Sequence, residues 1–354
     1  MPMTAGERPA YSLVQADPRH DLAAIQSVWR GNFGPDADHP RKIQHLYLDG
    51  PSGPALVLML RDDRNGEAAG VVGAIPRPMR YAGTSITAAV ISHVAVAPRH
   101  RTLGPVMKLH AEIFAASSHR FDLIYGHPNP RNAVVLKRAK YQELGQIKRY
   151  VKVLKFGQYA GRVLPAPLAR LAAPLVDALA VGGQWRRRSD IRGLDTRWSS
   201  EPFPQIDRDW PQAAGERRLE AVRTTELLRW RFHPCIVGQV RYLLVSSAHG
   251  PLGWFACEDN TAIAGRLTLL DYRLIDMPQR HKANAIQALL AQAHAAGYNT
   301  VEIPLSGHAY GEEGWQDVGF VERGSGPITG AGFTSKLDGL DAGHLHMTYL
   351  DNDS

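Results

Sequence analysis

The residues Arg99-His100-Arg101-Thr102-Leu103-Gly104-Pro105 end an apolar run and open a helical one, inside VISHVAVAPRHRTLGPVMKLHAEIF at residues 90–114. Residue types in this order can hold an anion. The first N–H groups of a helix have no partner within it, and the helix dipole places partial positive charge there. A pyrophosphate satisfies both. Gly104 lets the main chain approach a ligand closely. Pro105 is pre-shaped for the first turn, and its missing N–H was an orphan anyway. Arg99, His100 and Arg101 add long-range attraction for phosphate. Two histidines stand nearby in sequence: His93, beside Ser92 in the apolar run, and His127, just before Pro128-Asn129. Histidine titrates near neutrality, so either can accept a proton without tuning. A core histidine with a backbone partner is the other reading of His93.

The elements that must position these groups follow from periodicity and punctuation. DLAAIQSVWRGNF has helical spacing, with Leu22, Ile25 and Val28/Trp29 on one face, and PRKIQHLYLDG is a second short helix. ALVLML, the start of AAGVVGAIPRPMRYAG, and SITAAVISHVAVAP read as strands separated by turns. GPVMKLHAEIFAASSHR is a helix, FDLIYGHP a strand, NPRNAVVLKRAKY a helix and QIKRYVKVLKF a strand. The order is helices, an antiparallel meander, then strand–helix–strand–helix–strand. From about residue 156 to 215 the chain is rich in Pro, Arg and Trp, and LPAPLARLAAPLVDALAVGGQWRRR has amphipathic helical spacing. The order then repeats, through QVRYLLVSSAHGPLGWFACE, GRLTLLDYRLID, the helix KANAIQALLAQAHAAGYN, TVEIPLS and EEGWQDVGFVE.

Composition narrows the class. The chain has 354 residues, 44% hydrophobic and 21% charged, which suits two folded domains with real cores. Lys+Arg exceeds Asp+Glu by 41 to 34, so an anionic ligand is favoured, although the basic residues are scattered. Zinc-finger spacing and aromatic ribonucleoprotein motifs are missing, so no nucleic acid partner is expected. Cys235 and Cys257 are too few for a disulfide framework or a metal cluster, so no metal is expected. No run approaches the roughly 20 apolar residues of a membrane span, and MPMTAGERPAYSL has no apolar signal core. A cytoplasmic protein is expected. The 168–183 segment, with Trp185 to Arg188 behind it, reads as a linker helix before a membrane-surface one. The aromatic pair in Trp230–Phe232 reads as packing between the two halves before a substrate pocket.

Arg101-Thr102-Leu103-Gly104-Pro105, between HVAVAP and a helix, resembles the acetyl-coenzyme A loop of the GNAT superfamily of N-acetyltransferases. That pattern is an apolar strand, a proline, then Arg/Gln-x-x-Gly-x-Gly/Ala opening a helix. Val94, Ala95, Val96 and Pro98 fit the strand part, and Arg101 and Gly104 the loop. YGHPNPRNAVVLKRAKY resembles the next strand and its Asn-led helix, with Asn129 at the family's asparagine and Tyr141 near its Gly-Phe ending. The resemblance covers about residues 20–155. It is weaker in the second half, where EEGWQDVGF looks like the same helix ending but LIDMPQRHKAN lacks Arg-x-x-Gly. Two positions depart from the pattern: Val106 stands where the family has Gly or Ala, and Leu136 where it often has a proton-donating tyrosine.

The resemblance implies an α/β fold of two GNAT-like domains, each a mixed, mostly antiparallel sheet flanked by helices. Domains are expected at 1–155 and 216–354, joined by a partly helical linker at 156–215. It implies an acyltransferase moving an acetyl or other acyl group from coenzyme A to the primary amine of a small molecule or peptide. Attack is direct, in a ternary complex, with acetyl-CoA or another acyl-CoA as co-substrate. Val94, Ala95, Val96, Arg101, Thr102, Leu103, Gly104, Pro105, Val106 and Asn129 are then cofactor-binding residues, Val94 and Val96 through their backbone. His93 and His127 are rival catalytic bases. The second domain is expected to wall the acceptor cleft without binding cofactor. Two alternatives stay open: an acyl-CoA-binding sensor or scaffold without turnover, which Leu136 motivates, and an aminoacyl-tRNA-dependent amino-acid transferase, which would not need the Arg101–Gly104 loop.

Overall fold

The computed structural model describes residues 10–34, 36–155, 191–208, 217–260 and 265–352. The helix expected at residues 164–188, with the 168–183 segment and Trp185–Arg188, lies outside them. The chain divides into two compact units: Met1–Leu144 with Pro327–Gly339 and Asn352–Ser354, and Gly145–Gly326 with Leu340–Asp351. No helix among the described residues is long and apolar enough to cross a membrane.

The first unit contains β1 (Tyr11–Gln15), α1 (Leu22–Phe33), α2 (His39–Tyr47), β2 (Leu56–Asp62), β3 (Ala68–Tyr81), β4 (Thr84–Val96), α3 (Leu103–Ser118), β5 (Leu123–Gly126) and α4 (Pro130–Arg138). Its strands lie in the order β1-β2-β3-β4-β5. α1 buries Ile25, Val28 and Trp29, the i, i+3, i+4 stripe read from the sequence, and ends at Gly34, whose φ of 79° a Cβ would disfavour. Successive strand residues point to opposite faces. Thus Val72 and Ala74 join the cluster packed by Leu109 and Ile113 of α3, whereas a Cβ on Gly73 would strike the Tyr47 ring of α2. α1 and α2 therefore cover one face, and α3, with Leu136 of α4 and Ala139 just after it, the other.

The second unit takes most of β6 (Gln142–Val153), then β7 (Asp195–Ser199), β8 (Leu219–Ala221), α5 (Thr225–Arg231), β9 (Val240–Ser247), β10 (Gly250–Asn260), β11 (Arg266–Leu274), α6 (Gln279–Ala295), β12 (Thr300–Ser306), α7 (Ala309–Glu312), the start of β13 (Val321–Gly332) and β14 (Leu345–His346). Its sheet runs β6-β12-β11-β10-β9-β7, with β8 paired to β14. Three antiparallel strands followed by a helical crossover to a parallel strand occur in both units: β4 with β5, and β11 with β12. Phe255, Leu289, Ile303 and Trp315 lie in this unit's core.

The division expected at 1–155, 156–215 and 216–354 differs from these units, because pairing is decided between segments far apart in sequence. Residues Ile147–Val153 of β6 pair with β12, which places them in the second unit. Thr329–Gly332 of β13 pair with Gly126–Leu123 of β5, which returns residues 327–339 to the first. β7 lies inside the expected linker and pairs with β9. Trp230 and Phe232 are 6% and 5% exposed, so both side chains are buried.

Candidate active site

The sheet of the first unit is split. β4 pairs in parallel with β5 only from Ala88↔Leu123 to Val90↔Tyr125. β4 continues to Val96, while β5 ends at Gly126 and pairs on its other side with Thr329. On the β3 side the register passes from Gly73↔Ser92 to Val71↔Ala95, so His93 and Val94 stand opposite the single residue Val72. This is a β-bulge. His93 takes φ 52°, a left-handed conformation uncommon for a residue with a Cβ. Holding one costs of order 1–3 kcal/mol, and such residues cluster at functional sites.

A cavity of about 460 Å³ opens where the strands part. Ile91, His93 and Val94 of β4 and Gly126 and His127 at the end of β5 form its middle. On the α1/α2 side it is walled by Trp29, Phe33, Asp36, His39 and Lys42. On the α3/α4 side it is walled by His110, Leu136 and Tyr141, with Thr329 beside them. It reaches through the sheet, because Val94 and Ile91 belong to the α3-side packing while His93 meets Trp29 and Tyr47.

The two rival bases thus line one cavity. The His93 Nδ1 is hydrogen-bonded to the Ser92 hydroxyl. Its ring stacks on Trp29 and meets Phe33 edge-on at 5.6 Å. The His127 ring meets Tyr125 edge-on at 6.0 Å. Asp36 pairs with Lys42 at 2.7 Å, and that bond holds its carboxyl below the usual range. Asn129 opens α4: its Oδ1 accepts from the Asn132 N–H at 3.0 Å. It also lines the cavity, as does Leu136. Burial pushes the Tyr141 phenol up, so it stays protonated.

The strand-to-helix loop differs from expectation in its side chains. Arg101 turns back onto the fold: its guanidinium donates to the Gly31 carbonyl, to Asn32 Oδ1 at 3.2 Å and to the Val96 carbonyl at 3.3 Å. Arg99 pairs with Glu67. His100 is buried, with Nδ1 3.1 Å from the Tyr11 hydroxyl, and burial helped by Arg99 pushes its pKa down. Pro105 is buried and Val106 packs on the core; Ala95 and Val96 are likewise buried in the sheet. Thr102, Leu103 and Gly104 are exposed, the Thr102 side chain makes no capping bond, and a Cβ on Gly104 would meet nothing within 4 Å. The loop therefore offers main chain at the helix start. Its residues are not in the cavity wall.

In the second unit the corresponding junction runs from the end of β11 at Leu274 to α6 at Gln279 through Pro278, without a glycine. Asp271 of β11 is buried in a pair with Arg223 at 2.8 Å. Burial raises the Glu220 pKa, but Arg273, Arg223 and the other cations beside it outweigh that and hold it at about 2.

Sequence reasoning passed over Trp29, Phe33, His39, His110 and Thr329 as site residues. Trp29 lay on the buried stripe, and nothing local in sequence marks Thr329, which lies 203 positions beyond its partner Gly126 (329 − 126).

A split sheet beside a strand-to-helix loop, flanked by this order of elements, is shared with known proteins. Residues 23–129 match the family model described as an acetyltransferase (GNAT) domain. A probable N-acyltransferase of unknown function from Enterococcus faecalis superposes with a TM-score of 0.60 at 12% identity, covering 92% of this chain and 72% of that one. A GCN5-related N-acetyltransferase from Kribbella flavida gives 0.59 at 13% identity, over 91% and 71%. Saccharomyces cerevisiae N-myristoyltransferase with bound myristoyl-CoA gives 0.51 at 13% identity, over 92% and 81%. No curated protein matches the sequence. Residues 23–129 match a GNAT domain model, and the chain as a whole has a GNAT-like fold.

Proposed function

We propose that this protein transfers an acyl group from coenzyme A to a primary amine of a small molecule or peptide, by direct attack in a ternary complex. The observation that supports it best is the cavity at the β4/β5 split, with the left-handed His93 in its wall. The amine nitrogen attacks the thioester carbonyl carbon, the C–S bond breaks, and an amide forms. His93 takes the amine proton, and the departing thiolate leaves as the thiol once that proton is returned. Backbone N–H groups at the β4 bulge would stabilise the oxyanion. His127, in the same wall, is the rival base. The cofactor's phosphates would lie on the exposed main chain of Thr102–Gly104. A cytoplasmic location belongs to the same proposal.

A second reading is acyl-CoA binding without turnover. Leu136 favours it, since an apolar side chain stands in the cavity wall where a proton donor would serve the leaving thiolate. One experiment separates the two. Calorimetric titration with coenzyme A is followed by thiol release from acetyl-CoA in the presence of a panel of amines. Binding with amine-dependent release supports transfer, and binding with no release from any amine supports the sensor. Absence of binding would remove both.

A further inference from the structure

The α3/α4 side of the cavity carries buried polar groups that the described residues do not satisfy. His110, Tyr141 and Thr329 are 4%, 5% and 3% exposed and line this part of the wall. Among the described residues, His110 Nδ1, the Tyr141 hydroxyl and Thr329 Oγ1 have no hydrogen-bond partner. Nearly all buried polar groups find a partner, and leaving one without is costly. Three such groups, brought to one wall by α3, the start of β6 and β13, mark a place where a ligand supplies the partner. The His110 and Tyr141 rings meet edge-on at 5.7 Å, and Thr329 sits opposite Gly126 of β5, itself in the wall. Ile91 and Leu136 give this lobe its apolar lining.

The groups are matched to a neutral partner. Burial holds the His110 pKa at about 4 and pushes the Tyr141 phenol up, so both are uncharged near pH 7. Among the described residues, Lys42 is the one Lys or Arg in the cavity wall, and it lies on α2 paired with Asp36. A carboxylate in this lobe would be a buried charge without a cation, whereas a hydroxyl or carbonyl carries no such cost. The total volume of about 460 Å³ leaves room beyond an acetyl group.

We propose that this lobe receives the acyl chain of the coenzyme A thioester and selects chains bearing a hydroxyl or oxo group a few carbons from the thioester. The inference rests on the acyl-transfer reading. With the thioester at the β4 bulge, the chain passes through the strand split along Ile91 and Leu136, and its polar substituent meets His110, Tyr141 and Thr329.

The test is calorimetry on the full-length protein with coenzyme A, butanoyl-CoA and 3-hydroxybutanoyl-CoA. The hydroxylated thioester is expected to bind about tenfold or more tightly than butanoyl-CoA, because a site built to hydrogen-bond a hydroxyl rejects the analogue lacking it. Tyr141→Phe/Thr329→Val is expected to bring that ratio toward one. Thr329→Val alone, nearly the same size, gives a partial fall and serves if the double variant does not fold. Equal affinity for the two thioesters in the wild type would overturn the proposal while leaving acyl transfer intact. So would a loss of affinity for free coenzyme A as large as that for the hydroxylated thioester, which would assign these groups to the coenzyme A arm. If the wild type binds none of the three, the acyl-transfer reading itself falls.

Discussion

The imidazole of His93 lies face to face with the indole of Trp29, ring centres 4.5 Å and planes 19° apart, while its own backbone is held at φ 52°. The two features belong together. An extra residue in β4 turns His93 toward α1, and the Trp29 surface then fixes the ring over the cavity. Edge contacts from Phe33 and His39 to the same indole brace the stack.

If His93 is the base, His93→Ala lowers kcat by about 10²–10⁴ while coenzyme A still binds. His93→Asn is the sharper variant, because asparagine accepts the left-handed conformation more readily than alanine. It keeps the bulge and lacks a group that titrates near neutrality. Steady-state kinetics on both, and on His127→Ala, separate the rivals. Wild-type rates in both His93 variants with a large loss in His127→Ala would transfer the role to His127.

Trp29 is 2% exposed and supports both the core and the stack. Trp29→Ala is expected to cost about 3–5 kcal/mol of stability. Urea unfolding followed by circular dichroism measures it. A cost below about 1 kcal/mol would mean that the indole is not packed as described.

Gly104 faces open space, so Gly104→Ala should fold and bind coenzyme A nearly as the wild type does. Gly104→Asp adds a carboxylate at the start of α3, where a pyrophosphate would sit. Its coenzyme A affinity should fall by tenfold or more, a like charge at roughly 4 Å costing about 1–4 kcal/mol. Equal affinity in all three proteins would take the phosphate site away from this loop.

His110 links the cavity to pH. Its folded pKa of about 4 is below the usual histidine value of 6.5, through burial. The neutral form is favoured on folding, so the unfolded chain binds more protons between these values. Stability from this group is full above about pH 6.5 and is lost as pH falls toward 4, by about 3 kcal/mol. His110→Leu should show a smaller loss between pH 7 and pH 4 in urea titrations. Identical pH profiles would show that His110 is not buried in its neutral form.

In the second unit, Arg223 and Asp271 form a buried pair, with Thr348 donating its hydroxyl to Asp271 at 2.8 Å. Removing one partner leaves an uncompensated charge, so Arg223→Met should destabilise by about 3–5 kcal/mol. The measurement is thermal or urea unfolding. Arg223→Met combined with Asp271→Leu should recover part of the loss, and no recovery would mean that the pair is not coupled.

Much of this protein was legible in the chain. Local patterns suffice where a local cause acts: the Ile25, Val28, Trp29 stripe writes α1, and Pro98 through Pro105 writes the turn into α3. The loop's resemblance to a coenzyme A loop and the two histidines, one within β4 and one just after β5, also lay in short windows, and His93 and His127 do line one cavity. Short or irregular elements were not legible. β1, β7, β8 and α5 are 5, 5, 3 and 7 residues long, too short for a period to stand out.

Sequence alone determined the class of fold, the strand–loop–helix unit and the residue types from which a site could be made, because each depends on neighbours within a few positions. Tertiary structure decided what those residues face. It turned Arg101 onto α1, since the Val96 carbonyl and the Asn32 side chain lay within reach, and it buried His100 against Tyr11. It also brought Thr329 beside Gly126, and with it His110 and Tyr141 into one wall, because strand pairing joins segments by backbone hydrogen bonds whatever their separation along the chain.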